Sequence, residues 1–365
     1  MAVLELRDLT KHYGEHHAVG PVSLTVEEGE FFSLLGPSGC GKTTTLRCIA
    51  GFETPTGGDI LMDGRSIVDR PVNRRDIGLV FQSYALFPHL TVFDNVAFGL
   101  SLRRRPRVEI AERVAEVLAL VEMAGYEARH PGQLSGGQQQ RVAVARSLAL
   151  QPRLLLLDEP LSNLDLKLRV QMRGELRKLQ RRLRKTTIYV THDQGEALAL
   201  SDRIVVLSRG RVEQIGTPPE IYERPRTPFV ADFIGSSNLI RGPAEPLPDG
   251  GCVVRAAGLA LRSAQALPEG IGPGEEVVAL LRPERLRLRA LGDLAAPEAN
   301  AFPATVVDVT YLGEDLQLVV EVHGGPMLLA SLKAGGGDKD PALHDSVLAC
   351  VAPRDVRLLP PSEPR

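Results

Sequence analysis

Short apolar runs alternate with amphipathic stretches through the first half of the chain. Val3–Leu9 and Val22–Val26 alternate apolar and polar residues, which predicts strands with one buried face, the first of them at a sheet edge. Phe31–Leu35 and Leu154–Leu157 are continuously apolar, which is typical of strands covered on both faces in a parallel sheet. The pattern therefore predicts an α/β unit around a buried sheet.

Three more strands and two surface helices follow from the same pattern. The strands are predicted at Ile77–Phe81, Thr187–Val190 and Arg203–Leu207. A helix is predicted over Ala111–Ala124, with Gly125 ending it. Arg173–Lys185 has leucines three and four residues apart among basic residues, which indicates a helix with a solvated Arg/Lys face, nucleic-acid binding being the alternative.

The pattern changes near residue 236, where prolines and glycines multiply and helical periods become scarce. The short alternating runs there indicate a small β domain, either a barrel or a sandwich. They are Cys252–Leu261, Val277–Leu281, Thr305–Val309, Leu316–Val322, Met327–Leu332 and Ser346–Val351. We expect two domains, residues 1–235 and 236–365, the first with a helical subdomain at about residues 88–150.

Composition narrows the class of protein. The net charge of −2 is too balanced for nucleic acid or an anionic membrane to be the main partner. The sequence contains neither an apolar run of about 18 residues nor a basic-then-apolar leader, which predicts a cytoplasmic chain unless another protein carries it elsewhere. The four cysteines form no metal spacing and are expected to be reduced structural thiols.

The segment Gly36–Thr43, Gly-Pro-Ser-Gly-Cys-Gly-Lys-Thr, stands between a predicted strand and a predicted helix. This is the context that a phosphate-binding P-loop requires. The glycines let backbone N–H groups converge, and the helix adds its unpaired N–H groups and positive dipole end. Lys42 provides a charge for the outer phosphates of a nucleoside triphosphate, and Thr43 a hydroxyl for Mg²⁺.

Polar residues end three of the predicted strands. Asp158 and Glu159 follow Leu154–Leu157, and acids at the end of a buried strand cost free energy unless they are paired or metal-bound. We expect Asp158 to hold Mg²⁺ and Glu159 to polarise an attacking water. His192 is either a packed or capping residue or a contact for phosphate or water. Gln82 is either a surface residue or an oxygen ligand for the cation.

Ser135 is a predicted helix N-cap, and Gly136 and Gly137 leave that helix start open to an anion. One nucleotide needs only one P-loop, so a second phosphate-binding helix start suggests a site completed by another copy of the chain. Tyr13, beside a predicted turn, either stacks on a purine or packs.

Together these motifs resemble the nucleotide-binding subunits of ATP-binding-cassette (ABC) transporters, and more narrowly the importer ATPases of the polyamine, ferric-iron, sulfate and maltose type. The matching motifs are Walker A at Gly36–Thr43, the Q-loop at Gln82, the LSGGQ signature at Leu134–Gln138, Walker B at Leu157–Glu159, the D-loop at Ser162–Asp165, the switch histidine His192 and the OB-like extension motifs Leu281–Glu284 and Tyr311–Gly313.

The resemblance implies an α/β P-loop NTPase with a helical subdomain, followed by a small all-β OB-like (TOBE) regulatory domain. It implies ATP and Mg²⁺ as cofactors. The implied nucleotide-binding residues are Tyr13, Gly36, Pro37, Ser38, Gly39, Cys40, Gly41, Lys42, Thr43, Thr44, Ser135, Gly136, Gly137 and Gln138. The implied catalytic residues are Lys42, Gln82, Glu159 and His192. The implied metal ligands are Thr43, Gln82 and Asp158.

The resemblance also implies partners. Ser135–Gly137 of one copy would bind the γ-phosphate held by Lys42 of the other in a head-to-tail homodimer, and Asp165 would communicate across it. Ser83–Pro88 would receive the coupling helix of two permease subunits at the cytoplasmic face of the inner membrane. A solute-binding protein outside the cytoplasm would act indirectly. Nucleic acid is not expected.

Three further classes of protein stay open. A non-transport ABC ATPase of DNA repair or translation usually carries a tandem cassette or a long insertion, and neither fits between Lys42 and Leu134. The second class is an exporter subunit, and the third is a regulatory ATP-switch protein. The transported solute is open among polyamines, related organic amines or phosphonates, and ferric iron.

Overall fold

A computed structural model describes residues 2–256, 258–291, 299–335 and 340–361 of the chain. The chain divides into two compact units, residues 1–221 and residues 222–365. None of the described helices is both long and apolar enough to cross a membrane.

Unit 1 contains ten strands, which are β1 Ala2–Tyr13, β2 His16–Glu27, β3 Phe31–Leu35, β4 Gly57–Met62, β5 Arg65–Ser66, β6 Ile77–Val80, β7 Leu154–Asp158, β8 Thr186–Thr191, β9 Arg203–Ser208 and β10 Arg211–Gly216. The helices are α1 Lys42–Ala50, α2 Val92–Leu102, α3 Arg107–Leu120, α4 Gly136–Ala149, α5 Leu166–Leu183, α6 Gln194–Leu200, α7 Pro218–Glu223, which runs into the start of unit 2, and α8 Pro228–Phe233 within unit 2.

The larger sheet of unit 1 has the order β10-β9-β3-β8-β7-β6, and every pair except β10-β9 is parallel. Its inner strands β3 and β8 are fully buried, as the apolar runs predict. Because the strands are parallel, the loops that follow β3, β6, β7 and β8 all emerge at one edge. The P-loop, Gln82, the acid pair at Asp158 and His192 follow these four strands.

The smaller sheet has the order β2-β1-β4-β5, and it corrects one expectation. The alternation of Val3–Leu9 predicts an edge strand, but β1 is an inner strand paired with both β2 and β4, and it continues to Tyr13. Alternation reports only that one face is exposed and carries no information on the number of strand neighbours. The predicted hairpin turn at Asp63-Gly64 is confirmed, since both residues have positive φ between β4 and β5.

The segment α2–α4 packs around a core that includes Val96, Val114, Val117 and Val142. The predicted bounds Ala111–Ala124 are displaced toward the N-terminus. Helix α3 begins one turn earlier, at Arg107, and ends at Leu120. Pro106 fixes the early start, and Glu122 adopts a left-handed φ of 57° that ends the helical path before Gly125.

Unit 2 is mainly β-structure, as predicted. Its strands are β11 Asn238–Pro246, β12 Cys252–Ala256, β13 Leu259–Ser263, β14 Glu276–Leu281, β15 Arg287–Ala290, β16 Ala301–Tyr311, β17 Asp315–Val322, β18 Met327–Lys333, β19 Ser346–Cys350 and β20 Val356–Leu359. They form two five-stranded sheets of order β13-β12-β11-β14-β20 and β15-β19-β16-β17-β18, with side chains of both in one core.

The proline-rich stretch after residue 236 forms β11, which the sequence pattern did not predict. Pro243 lies in that strand opposite Glu276 of β14. A proline removes one ladder donor but leaves its carbonyl and extended backbone, so a single proline weakens the pattern without ending the strand. All four cysteines are buried thiols, as expected.

Arg75 is a buried residue, 3% exposed, that ties the end of α1 to the chain after β5. Its Nη1 donates to the carbonyl oxygens of Cys48 and Ile49 at 2.8 and 3.0 Å, and its Nη2 donates to the oxygen of Val68 at 2.7 Å. The two α1 carbonyls are among those that a helix leaves without an internal partner.

We expect Arg75→Met to destabilise the protein by about 2–4 kcal/mol, because several buried carbonyls would lose a charged donor. Urea unfolding followed by circular dichroism measures the change. Arg74→Met is the control, since Arg74 is exposed and should change the unfolding free energy by less than about 0.5 kcal/mol. Equal effects of the two substitutions would contradict the interpretation.

Candidate nucleotide-binding and hydrolysis site

The P-loop passes very close to the neighbouring backbone. A Cβ on Gly36 would lie 2.3 Å from the carbonyl oxygen of Leu207, and one on Gly41 would lie 2.6 Å from that of Ala18. Gly41 also has φ 98° and forms the N-cap of α1. Only glycine fits these two positions. Ser38 and Gly39 are exposed at the loop tip, whereas Cys40 is buried beneath it.

Lys42 lies under this loop with only 6% of its surface exposed. Its Nζ donates to the carbonyl oxygens of Gly36 and Pro37 at 2.8 and 2.9 Å. The ammonium group is held by main-chain dipoles, with no carboxylate as partner among the ion pairs of the described residues. Within the described residues, no carboxylate therefore competes with an anionic ligand of the loop for this ammonium group.

The two principal metal candidates lie together. Thr43, in the first turn of α1, donates from Oγ1 to Oδ1 of Asp158 at 3.4 Å. Burial raises the pKa of Asp158, and the charge of Glu159 raises it further, against the lowering effects of Arg47, Thr43 and Lys42. A carboxylate and a hydroxyl are hard oxygen ligands of the kind Mg²⁺ takes, and a bound divalent cation would favour the charged carboxylate. These residues therefore fit a magnesium ion.

Glu159 is held by the backbone and by His192. It has a left-handed φ of 44°, and its N–H donates to the carbonyl oxygen of Val190 in β8 at 3.0 Å. Its Oε2 lies 3.1 Å from Nδ1 of His192, and the glutamate and histidine side chains are 21% and 57% exposed. The contact favours the tautomer with the proton on Nδ1 when His192 is neutral. The structure thus brings the predicted base and the switch histidine into direct contact.

Gln82 follows β6 and is exposed. Asn163 of the D-loop donates from Nδ2 to the Gln82 carbonyl oxygen at 2.8 Å, so the two loops are joined through a backbone atom. Among the contacts of the described residues, the Gln82 side chain has no hydrogen bond to Thr43 or Asp158. Its role as a metal ligand stays a prediction.

Ser83–Pro88 is fixed by two residues that the sequence analysis missed. Arg146 of α4 donates to the carbonyl oxygens of Tyr84 and Ala85 at 2.9 and 2.7 Å. Asn95 of α2 is fully buried, donates to the oxygen of Phe87 and accepts from its N–H. An asparagine on the buried face of an apolar helix was the available signal, since such a side chain needs polar partners.

Ser135 caps α4 as predicted. Its hydroxyl accepts from the N–H of Gln138, and the Gln138 side chain accepts from the N–H of Ser135. A Cβ on Gly136 would lie 3.0 Å from Leu164 of the D-loop, and one on Gly137 would lie 3.3 Å from Met172 of α5, so small residues allow the start of α4 to approach both. Within the described chain, no hydrogen bond joins Ser135–Gln138 to the P-loop of the same copy.

Tyr13 ends β1 and is 44% exposed. Nζ of Lys11 lies 4.8 Å from the centre of its ring. An exposed aromatic ring near a cation fits a stacking surface for a base, but the contacts within the chain do not distinguish this role from packing.

The sequence of this chain matches two protein families and resembles known proteins over most of its length. The ABC transporter family matches residues 19–162, and the TOBE domain family matches residues 279–359. The spermidine/putrescine import ATP-binding protein PotA of Rubrobacter xylanophilus is 52% identical over 90% of this chain and 85% of its own length. That of Acidothermus cellulolyticus is 51% identical over 94% of this chain and 90% of its own length.

Solved structures agree on the cassette. CbiO1 of Clostridium perfringens, part of the ABC transporter complex CbiONQ, aligns with a TM-score of 0.57 and 31% identity over 60% of this chain and 90% of its own. The dimeric post-hydrolysis structure of the ATP-binding cassette MJ0796 with ADP and Pi aligns with a TM-score of 0.52 and 37% identity. The alignment covers 59% of this chain and 98% of that structure's chain.

This chain therefore belongs to the ABC transporter family as an ATP-binding subunit with a TOBE domain. It is an ATPase, and it energises an importer. The predicted family, fold class and enzyme activity are confirmed, and the non-transport and ATP-switch classes are not favoured.

We expect Asp158→Asn to raise the thermal midpoint at pH 7.5 while abolishing hydrolysis. The pKa of Asp158 is raised in the fold, so at neutral pH its ionised form opposes folding, and this cost disappears as pH falls through the raised pKa. The stabilisation should therefore be largest near neutral pH and shrink on acidification, as differential scanning calorimetry would show.

Asp69→Asn is the control, because Asp69 is exposed on the surface of unit 1. It should leave both the midpoint and the hydrolysis rate nearly unchanged. A lower midpoint for Asp158→Asn at pH 7.5 would show that its contact with Thr43 outweighs burial.

Proposed function

We propose that the chain powers uptake of polyamines of the spermidine and putrescine type. The observation that carries this is the match to relatives named for spermidine/putrescine import, which share about half their residues with this chain over nine tenths of its length. Related organic amines, phosphonates or ferric iron have no comparable support.

The sheet edge supports the following division of roles. Lys42 and the first N–H groups of α1 bind the β- and γ-phosphates, because they place positive charge where the P-loop glycines allow close approach. Glu159 accepts a hydrogen bond from the attacking water and orients it toward the γ-phosphorus. His192, in contact with Glu159, fixes that carboxylate through its Nδ1–H, and when both ring nitrogens carry a proton its Nε2–H donates to the phosphate.

In the bond change, the water oxygen bonds to the γ-phosphorus as the bond to the bridging oxygen breaks. ADP leaves with that oxygen, and the water proton passes to Glu159 or phosphate. Thr43 and Asp158 would hold Mg²⁺, with Gln82 as a further oxygen ligand. The cation, when bound, neutralises charge on the phosphate oxygens.

The site is proposed to be shared between two copies in a head-to-tail dimer. Ser135, Gly136, Gly137 and Gln138 form an open helix N-terminus, and among the described residues no hydrogen bond joins it to the P-loop of its own copy. The partner's P-loop would face it, with Asp165 next to the junction. The dimeric relative bound to ADP and Pi supports this arrangement. Tyr13 would stack on adenine.

The coupling surface is proposed at Ser83–Pro88, which would receive the two permease subunits at the cytoplasmic face of the inner membrane. Its support is mechanical. Arg146 fixes this segment to α4, the helix that begins at the signature, and Asn163 joins Gln82 to the D-loop. A movement of either catalytic element would therefore displace the surface.

A solute-binding protein would act through the permease. Residues 1–235 would form the nucleotide-binding domain and residues 236–365 the regulatory domain.

We expect ATPase activity to return when two inactive variants are mixed. Lys42→Ala removes the phosphate cation and Ser135→Arg blocks the signature. A mixed dimer keeps one intact site, formed by the P-loop of one copy and the signature of the other, so mixing should restore up to about one quarter of wild-type activity. A coupled assay of ADP release measures it.

The matched control mixes Lys42→Ala with Asp158→Asn, two changes on the same side of the shared site. Every mixed dimer then has only damaged sites, and activity should stay at the level of the single variants. Activity that returns in neither mixture would contradict a shared site.

We expect ATP hydrolysis in liposomes that contain the permease to rise at least about tenfold when receptor loaded with spermidine or putrescine is inside. Glu159→Gln should bind ATP with unchanged affinity, lose at least about 99% of turnover and abolish the ATP-driven loss of labelled polyamine from the liposome lumen, since it removes only the proton acceptor.

The solute control uses receptor loaded with ferric iron or a phosphonate, which should not stimulate. Stimulation by those solutes and none by polyamines would reject the proposed substrate class but leave the ATPase role intact. Wild-type turnover by Glu159→Gln would reject its role as base.

A further inference from the structure

Asp193 directly follows the switch histidine and is held on several sides. Its N–H donates to Oγ1 of Thr191 at 2.9 Å, and its Oδ1 accepts from the N–H of Glu196 at 2.9 Å, so Asp193 caps α6. Its Oδ2 accepts from Nη2 of Arg173 at 3.0 Å and lies 3.5 Å from Nη1 of Arg169. No step proposed above for ATP hydrolysis uses these contacts.

The two arginines belong to α5, the helix that follows the D-loop. Arg169 also faces back toward that loop, because its Nη2 donates to the carbonyl oxygen of Leu164 at 3.1 Å and lies 3.5 Å from that of Ser162. One guanidinium group therefore contacts both the D-loop main chain and the carboxylate next to His192. Its planar set of donors holds the two partners in a fixed relation.

Glu196 fastens the start of α6 to the sheet. It is 3% exposed, and its Oε2 accepts from the hydroxyls of Tyr189 and Thr191 in β8 at 2.7 and 2.8 Å. Its Oε1 lies 3.8 Å from Nε of Arg169. His192 therefore stands between two residues that hydrogen bonds fix in place.

The side chain of His192 takes its direction mainly from this backbone. It is 57% exposed, so packing restricts it little, and its Nδ1 lies 3.1 Å from Oε2 of Glu159. The backbone dihedrals limit the directions that a side chain can take. A shift of Arg169 together with the D-loop would move the residue next to His192, and so would change the contact between the imidazole and the proposed base.

We propose that Arg169 and Asp193 are positioning residues that make the contact between His192 and Glu159 depend on the position of the D-loop. The inference rests on the roles proposed above for His192 and Glu159. Because the D-loop lies next to the proposed junction with the second copy, assembly of the shared site sets the switch histidine through this connection. Both positioning residues act through other side chains and not on the nucleotide.

Steady-state hydrolysis by the full chain, measured over a range of ATP concentrations, tests the inference. Arg169→Gln should lower kcat about tenfold or more and leave the KM for ATP within about twofold of wild type, because it removes no nucleotide contact. Asp193→Asn keeps a cap for α6 but removes the charge that holds the arginines, and it should lower kcat about threefold or more at unchanged KM. The double variant should lose no more than about twofold beyond Arg169→Gln, since both changes break one connection.

Arg177→Gln is the matched control. Arg177 lies about two turns further along α5 and pairs with Asp202 at 2.5 Å, so it connects the same helix to the chain before β9. Its substitution should shift urea unfolding about as much as Arg169→Gln does, while kcat stays within about twofold of wild type. A purely structural role of Arg169 would instead lower kcat equally in both variants.

Equal kcat values for Arg169→Gln and Arg177→Gln, or a raised KM with unchanged kcat in Arg169→Gln, would overturn the inference. If Arg169→Gln does not fold, wild-type kcat in Asp193→Asn overturns it. His192→Gln separates this failure from that of the proposed function. Lost turnover in His192→Gln with wild-type kcat in Arg169→Gln rejects the inference alone, whereas wild-type turnover in His192→Gln rejects the role proposed for His192 and the inference with it.

Discussion

Two adjacent carboxylates at the end of a buried strand are the constraint on which the catalytic edge depends. Asp158 and Glu159 leave β7 together, and both burial and mutual repulsion oppose the charge on Asp158. The fold can keep them there because β6 and β8 flank β7 in parallel register and β3 follows β8, with Lys42 and His192 at the same edge. The charge on Asp158 is therefore only partly compensated within the chain, and added positive charge would favour it further.

The carboxylates at the end of β7 are connected by hydrogen bonds and contacts to the other loops of this sheet edge. A cation near Asp158 changes the charge next to Glu159, and Glu159 is connected to His192 by contact and to β8 by its backbone N–H. The D-loop follows Glu159 closely and reaches Gln82 through Asn163. Arg146 extends this connection to the loop after Gln82. The loops are joined by hydrogen bonds to carbonyl oxygens, which fix the direction and distance between them.

The parts of the fold that the sequence predicted are those with local signals. Continuous apolar runs identified β3 and β7 as buried strands of a parallel sheet, and the motifs that follow these strands identified Lys42 and Asp158 as candidate site residues. Alternation in β1 could not reveal its two neighbours. Arg146 was missed because its partners are main-chain oxygens of the Ser83–Pro88 loop, an atom type that every residue has. Asn95 left one signal, an amide in an apolar helix, which indicates that polar partners exist but not which ones. Sequence patterns therefore predict buried strands and motif residues better than they predict side chains that bind main-chain oxygens.

Hydrogen bonds from a guanidinium group to main-chain carbonyl oxygens recur in both units. Arg75, Arg146 and Arg282 all donate to carbonyl oxygens near helix ends or turns. Burial lowers the pKa of each. Carbonyl dipoles orient a guanidinium group but do not cancel a full charge, as a carboxylate would. Each of these arginines is therefore held by the geometry of its hydrogen bonds rather than by neutralisation of its charge.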